Sequence, residues 1–183
     1  MKRSLLIFFY VLMGHLVIGQ HTEEEPDIHP NEVPHWKVGL SISHAFLPAG
    51  SHDNFNEKLL IVPAIGIELF YNINQKWGII WANEVTMQSY VVSNVKEDNL
   101  KREFPIVSAI VANYHIGKRF YLNAGPGLEI EKHANFFIFR FGLEYELVIS
   151  EGWDVAPATH FETKQGKFGA FYFGVTIARH FGK

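Results

Sequence analysis

The sequence predicts an all-β fold, an eight-stranded antiparallel up-and-down transmembrane β-barrel. Eight strand-like segments follow residue 34, and large apolar side chains occupy one face of them while small ones occupy the other. Aromatic residues also recur at segment ends that adjoin short connections. A closed barrel is one of only two backbone arrangements that satisfy every polar group in lipid.

Residues 1–19 have the pattern of a secretory signal peptide. Lys2 and Arg3 form the positive start, residues 5–18 are largely apolar, and Gly19 meets the small-residue requirement for cleavage. The alternative is a membrane-spanning helix, for which the segment is short. We therefore expect a signal peptide at 1–19.

The rest of the chain divides into a tail and a barrel domain. Residues 20–34 are acidic, contain three prolines and offer little to bury, so we expect a flexible periplasmic tail there. Residues 35–183 form the expected outer-membrane β-barrel. Its predicted strands are 35–47, 59–73, 77–92, 104–116, 119–132, 135–149, 153–164 and 167–181. Each is longer than the roughly 9–11 residues that a tilted strand needs to cross hydrocarbon.

Alternation with a period of two is clearest in the sixth segment. Phe137, Phe139 and Phe141 share one face, while Arg140 and Glu144 lie on the other. Across the segments the second face is rich in Gly, Ala and Ser, which suit the crowded interior of a narrow barrel. The bulky face is therefore predicted to meet lipid. The polar exceptions on the lipid-facing parity are His44, Asn83 and Arg179.

The connections predict the orientation of the barrel. Short ones at 72–76, 117–118 and 150–152 alternate with longer ones at 48–58 and 93–103. Outer-membrane barrels have short periplasmic turns and longer external loops, with aromatic girdles at the interfaces. The short turns should therefore lie in the periplasm. The expected membrane-interface aromatics are Trp36, Tyr71, Trp77, Tyr114, Phe120, Trp153 and Phe181.

Prolines interrupt three of the predicted strands, at Pro63, Pro126 and Pro157. Proline removes a ladder donor, so we expect β-bulges or bends at these points. A bulge reverses the facing of every residue beyond it, which bears on the face assignments in strands three, five and seven.

Composition excludes several classes of function. Apolar residues make up 48% of the chain and charged residues 19%, and the formal net charge is −3, so there is no basic field for nucleic acid. The chain has no cysteine. Disulfides, thiolate metal sites and a lipoprotein anchor are therefore excluded.

Three stretches resemble a known family. They are Lys76-Trp77-Gly78-Ile79, the run at 121–127, and the ending at 173–181. The chain is similar to the small eight-stranded bacterial outer-membrane barrels, such as the membrane domain of the OmpA family, and to porin-family proteins. It departs from their C-terminal pattern because residues 182–183 follow the last aromatic. The resemblance implies an outer-membrane location, contact with outer-membrane lipids and insertion by the barrel-assembly machinery.

A network of charged side chains is predicted inside the barrel. Its members are Glu68, Glu84, Glu129, Arg140, Glu144, His160 and Glu162. Buried charges need partners, and the Arg140 guanidinium can bind two carboxylates, so we expect it at the centre of the network. Acids outnumber bases in this set, which allows some glutamates to be protonated or hydrated. Replacing Arg140 with alanine should lower the melting temperature in detergent.

The residues give no support for an enzyme. His160 and Glu162 have no serine beside them, and the chain contains no Gly-x-Ser-x-Gly motif, so we expect no catalytic residues. The histidines near acidic residues, at 21, 29, 44 and 52, lack metal-binding spacing, so we expect neither metal nor cofactor.

The expected function is that of an integral outer-membrane protein with a structural or surface-interaction role, whose external partner the sequence does not identify. In this case, the polar network fills the lumen. One alternative is a narrow channel or transporter for small solutes or ions, in which the same network conducts. Another is a soluble lipocalin-like barrel that holds an apolar ligand, with the bulky face turned inward.

Overall fold

A computed structural model describes residues 36–48, 59–93, 99–117 and 119–181. The predicted signal peptide and tail lie outside these residues, as do three of the four histidines that were considered as metal ligands, at 21, 29 and 52. Within the described ranges, no helix is long and apolar enough to cross a membrane.

Eleven strands account for nearly all of the described chain. They are β1 (Trp36–Pro48), β2 (Leu59–Asn72), β3 (Trp77–Thr86), β4 (Tyr90–Ser93), β5 (Asn99–Arg102), β6 (Ile106–Ile116), β7 (Phe120–Ile130), β8 (Phe136–Tyr145), β9 (Leu147–Ser150), β10 (Trp153–Lys164) and β11 (Phe168–Phe181). All the pairings are antiparallel, and the barrel closes where β11 pairs with both β10 and β1. β9 continues β8 against β10, so the wall has eight strands, as the sequence predicts.

The barrel has two unlike ends. We call the end with the connections at 73–76, 117–119 and 151–152 the turn end, and the opposite end, with those at 49–58, 87–105, 131–135 and 165–167, the loop end. The last of these is a tight hairpin. Gln165 and Gly166 both have positive φ, and the Lys167 N–H donates to the Lys164 carbonyl at 2.9 Å.

The bulky face of the strands points away from the barrel axis. The four phenylalanines at 139, 141, 171 and 173 are between 46% and 55% exposed, whereas the facing positions of the same strands, such as Ile138 and Ala170, are fully buried. A soluble barrel with its bulky side chains inside is therefore excluded. An outer wall of isoleucine, leucine and phenylalanine is what a barrel presents to acyl chains.

The prediction of β-bulges at Pro63, Pro126 and Pro157 is wrong. The ladders of β1 with β2, β7 with β8, and β10 with β11 keep one register through all three prolines. Beside Pro126, the ladder of β6 with β7 lapses for two residues and resumes in the same register. Each proline thus removes one ladder hydrogen bond but does not insert an extra residue into its strand. Residues beyond the proline therefore stay on the inner or outer face that the alternation predicts.

The third predicted strand, 77–92, is also wrong in its second half. β3 ends at Thr86, and residues 90–93 and 99–102 form a separate two-stranded sheet, β4 with β5. Tyr90 and Val92 of this hairpin pack in one buried cluster with Leu47 and Val62, which line the inner wall at the loop end. The hairpin therefore folds into the mouth of the barrel.

Candidate functional site

The lumen at the loop end contains a charge-balanced group of six side chains, which we call the loop-end cluster. Its members are Arg102, Glu129, Glu131, Arg140, Glu162 and Lys164. Three cations face three carboxylates, and all six side chains are buried. Ions buried this deeply must be paired, since desolvating each one costs several kcal/mol.

Lys164 is the bridging residue of the loop-end cluster. Its ammonium donates to Glu129, to Glu162 at 3.0 Å and to the Tyr172 hydroxyl at 3.3 Å. The three donors of the ammonium group are thereby all used.

Arg140 does not bind two carboxylates as predicted. Its Nε and Nη2 atoms both donate to Oε1 of Glu162, at 2.9 and 2.6 Å, and it forms no other ion pair among the described residues. The reason is register. Glu162 lies directly opposite Arg140 on β10, whereas its neighbour on β7 is Gly125, four residues short of Glu129.

Arg102 closes the loop-end cluster from above. It comes from β5 of the hairpin. Its guanidinium pairs with Glu129 at 2.5 Å and with Glu131 at 3.1 Å. The same group donates to the Ala134 carbonyl at 2.8 Å and lies over the Phe136 ring at 4.4 Å. The hairpin is thus tied to β7, to β8 and to the connection between them.

Glu131 stands outside the membrane-spanning strands, in the connection after β7. Burial alone would raise its pKa, but the His133 and Ala134 N–H groups and the Arg102 charge favour the carboxylate. The net effect is a pKa below the ordinary value for glutamate. Glu131 is therefore an ionised anchor for Arg102 at neutral pH.

At the turn end, the lumen contains a second group of charged side chains in which carboxylates are in excess. We call it the turn-end cluster. It consists of Lys37, Glu144, Glu146, Asp154 and His180. The Lys37 ammonium is 2.8 Å from Glu146, 3.2 Å from Asp154 and 3.9 Å from Glu144. The His180 Nε2 atom lies 2.6 Å from Asp154. One lysine thus serves three carboxylates.

Between the two clusters lies a cavity of about 30 Å³, enough space for about two water molecules. Its polar lining includes Glu68, Asn123, Arg140, Glu144 and His160. Among the described residues, the buried His160 Nε2 atom has no hydrogen-bond partner, so a water there would satisfy it.

Two groups of side chains have metal-ligand chemistry. In each, three possible ligand atoms lie within 4.8 Å of one another. These groups are Glu103, Glu131 and His133 at the loop end, and Glu146, Asp154 and His180 at the turn end. Each already contacts a protein cation, because Arg102 pairs with Glu131 and Lys37 pairs with Glu146 and Asp154. The arrangement therefore favours internal ion pairs over a bound metal.

All seven side chains of the predicted lumen network lie on the inner face. The two clusters and the cavity contain six of them, together with residues that the sequence analysis missed, and the seventh, Glu84, accepts a hydrogen bond from Ser43 at 3.3 Å. The missed residues of the two clusters are Lys37, Arg102, Glu131, Glu146, Asp154, Lys164 and His180. Parity could have found five of them. Lys37 follows the outward Trp36, and Asp154 and Lys164 share the inward parity of Glu162. Glu146 has the parity of Glu144, and His180 has that of the buried Tyr172 on β11. Arg102 has no such pattern, because its hairpin reaches the lumen through tertiary folding.

Aromatic pairs ring the turn end on the outside. Trp36 packs against Tyr71, Trp77 against Tyr114 and Phe120 against Tyr145 in tilted pairs, with ring centroids 4.6 to 4.7 Å apart and interplanar angles of 51° to 52°. Arg179 lies over both Trp153 and Phe181, at 5.4 and 5.5 Å. All seven predicted interface aromatics lie in this girdle. The sequence analysis missed Tyr145, which repeats the position of Tyr71 and Tyr114 at the end of a strand.

The fold, the apolar outer wall and the aromatic girdle together define an integral outer-membrane β-barrel protein of the small, eight-stranded class. No family model matches the sequence, and no curated protein does either. Solved structures match the fold.

The structure of Neisserial surface protein A (NspA) is similar, with a TM-score of 0.55 at 8% identity over 80% of this chain and 97% of that one. The N-terminal β-barrel domain of Pseudomonas aeruginosa OprF matches with a TM-score of 0.50 at 10% identity, over 78% and 96% of the two chains. Identities this low establish a shared architecture and no shared activity.

Proposed function

We propose that this protein is a sealed, non-enzymatic outer-membrane barrel with a structural or surface-interaction role. The observation that carries the proposal is the loop-end cluster, in which a buried, balanced set of ion pairs fills the lumen under a folded hairpin. Ionic side chains that satisfy one another leave no free path for a solute.

The dimensions of the barrel support the same conclusion. An interior formed by eight strands is only wide enough for side chains to fill it. The central cavity of about 30 Å³ holds water molecules and is too small for a metabolite. The lumen is therefore suited to fixing the strand register rather than to transport.

Contacts with other molecules would come from the outer surfaces. Met87 and Phe104 are exposed large apolar side chains at the loop end, near the exposed Lys101 and His133. We expect any surface partner to bind there, with outer-membrane lipids around the wall and the barrel-assembly machinery acting during insertion.

A narrow ion channel is the second candidate function. The excess of carboxylates in the turn-end cluster and the polar cavity above it favour small cations over anions. Conduction would require the loop-end cluster to open, which the tight pairing of Arg102 with Glu129 and Glu131 opposes.

Conductance across a planar bilayer tests the proposal. The purified, refolded barrel should produce no discrete current steps, and Arg102→Ala should introduce some by releasing the hairpin from the mouth. Lys101→Ala, which alters an exposed neighbour, is the matched control and should remain silent. Cation-selective steps from the unmodified protein would reject the sealed barrel in favour of the channel.

A further inference from the structure

A chain of hydrogen bonds lies on the lipid-facing wall, between β3 and β6. The Trp81 indole N–H donates to the Ser108 hydroxyl at 3.0 Å, and that hydroxyl donates to Oδ1 of Asn83 at 2.9 Å. All three side chains have the outward parity of the apolar wall. The chain therefore ends on the amide group of Asn83, on the outside of the barrel.

Asn83 lies within the hydrocarbon-facing belt rather than at its edge. It is six residues above the girdle residue Trp77, and its register partner Ser108 is six residues above Tyr114. A strand rises roughly 3.3 Å per residue, and a tilt near 40° leaves about 15 Å of height in a belt of about 25 Å. Water and lipid headgroups are both remote at that depth.

Three other polar side chains of the lipid-facing surface have local explanations. Thr159 donates to the Tyr172 carbonyl at 2.9 Å, and Arg179 packs on Trp153 and Phe181 within the girdle. His44 lies eight residues above Trp36, close to the loop-end edge of the belt. Asn83 differs, because no hydrogen bond from its amide nitrogen to any described residue exists.

An amide donor without a partner in hydrocarbon is costly, and polar side chains at such sites mark functional contacts. We propose that the β3–β6 wall is a self-association surface, and that Asn83 bonds to the same side chain of a second copy of this chain. A primary amide both donates and accepts, so it is self-complementary across a two-fold axis. Neither the sealed lumen nor the surface-interaction role requires this dimer.

The surroundings of Asn83 suit contact with a second barrel wall. Ile67, its register partner on β2, and Ile110 on β6 are both more than half exposed, and the small Ser108 leaves the amide accessible between them. An acyl chain offers no acceptor at this depth, since lipid esters lie at the interface. A protein amide therefore satisfies Asn83 where a lipid tail does not.

Single cysteines test the proposal cleanly, because the chain has none of its own. Ile110→Cys places a thiol on the proposed surface, and Ile177→Cys places one on β11, on the opposite wall. The two are matched in depth, each four residues from its girdle aromatic, and are 60% and 49% exposed. Each variant is reconstituted in lipid vesicles at low protein density and oxidised, and the disulfide-linked dimer is quantified.

We expect Ile110→Cys to form the dimer and Ile177→Cys to give only random-collision background. Adding Asn83→Leu to Ile110→Cys should lower the dimer fraction about three- to tenfold, the range for a polar contact in a membrane. Asn83→Ala serves the same purpose if the leucine variant does not fold, as judged by heat-modifiable migration. Equal cross-linking on both walls, or an Ile110→Cys dimer that is insensitive to Asn83, would overturn the proposal.

Discussion

The two charged clusters of the lumen use the same kinds of side chain in different proportions. At the loop end, three cations meet three carboxylates, and every one of these side chains is buried. At the turn end, a single lysine meets three carboxylates, and Glu146 and His180 remain partly open to solvent.

This difference indicates which end closes the barrel. Balanced ion pairs persist without water, so the loop-end cluster is able to fill the mouth as a dry plug. An unbalanced cluster needs water or protons to offset its charge, so the turn-end cluster is suited to a hydrated vestibule. On the proposed function, the same eight strands support a sealed end and a hydrated end.

The largest effect should come from Lys164→Met. This change leaves Glu129 and Glu162 without the ammonium that they share, and breaking a buried ion pair costs about 3–5 kcal/mol. Urea unfolding in detergent micelles measures the loss. Lys101→Met removes a lysine that is 62% exposed and should cost almost nothing. If both variants unfold at the same urea concentration, the loop-end cluster does not hold the barrel together.

Arg140→Ala should rank second, at about 1.5–3 kcal/mol, the range for hydrogen bonds to a charged group. The cost is smaller than for Lys164→Met because Glu162 keeps its bond to Lys164. The melting temperature in detergent should fall. An unchanged melting temperature would show that the Arg140–Glu162 pair contributes nothing to stability.

Lys37→Met should cost less than the roughly 3–5 kcal/mol expected for Lys164→Met, because Glu146 is partly open to solvent and Asp154 keeps its contact with His180. The comparison with Lys164→Met is matched, since the same substitution is made in each cluster. Unfolding in urea under identical conditions measures both. A loss as large as that of Lys164→Met would mean that the two clusters are energetically alike.

The smallest effect concerns acid and the hairpin. The pKa of Glu131 in the fold lies below its ordinary value of 4.5, so its contribution to stability is complete above pH 4.5 and is lost as the pH falls through the lowered pKa. Thermal unfolding followed between pH 6 and pH 3 should show this decline. Glu131→Gln should flatten it, and parallel curves for the two proteins would contradict the role of Glu131 as an ionised anchor.

The architecture was predictable because lipid imposes it on every strand. Alternation along Phe137–Phe141 and the terminal aromatics such as Trp77 report facing directly, so the wall, the girdle and the eight-strand count follow from the sequence. The prediction of β-bulges at the prolines failed because a proline in a strand is compatible with either of two outcomes. The strand can lose one ladder hydrogen bond and keep its register, or it can bulge around an extra residue. Only the register distinguishes them.

The ionic pairing was harder to predict. The inward parity of Lys164 is visible in the sequence, but its bond to Glu129 reaches across β8 to β7 and depends on the registers of two successive ladders. The role of Arg102 could not be predicted from the sequence. It enters the lumen from the β4–β5 hairpin, whose residues were assigned to the end of the third predicted strand and to the loop that follows it.

The closure of the loop end is tested most directly by thiol labelling inside the lumen. Ala158→Cys introduces a unique cysteine at the central cavity, and a small charged thiol reagent is added to the loop-end side of oriented vesicles. The account predicts labelling far slower than that of the exposed Lys101→Cys, and a marked acceleration when Arg102→Ala is added. Labelling of Ala158→Cys as fast as Lys101→Cys in the otherwise unmodified barrel would contradict a sealed mouth.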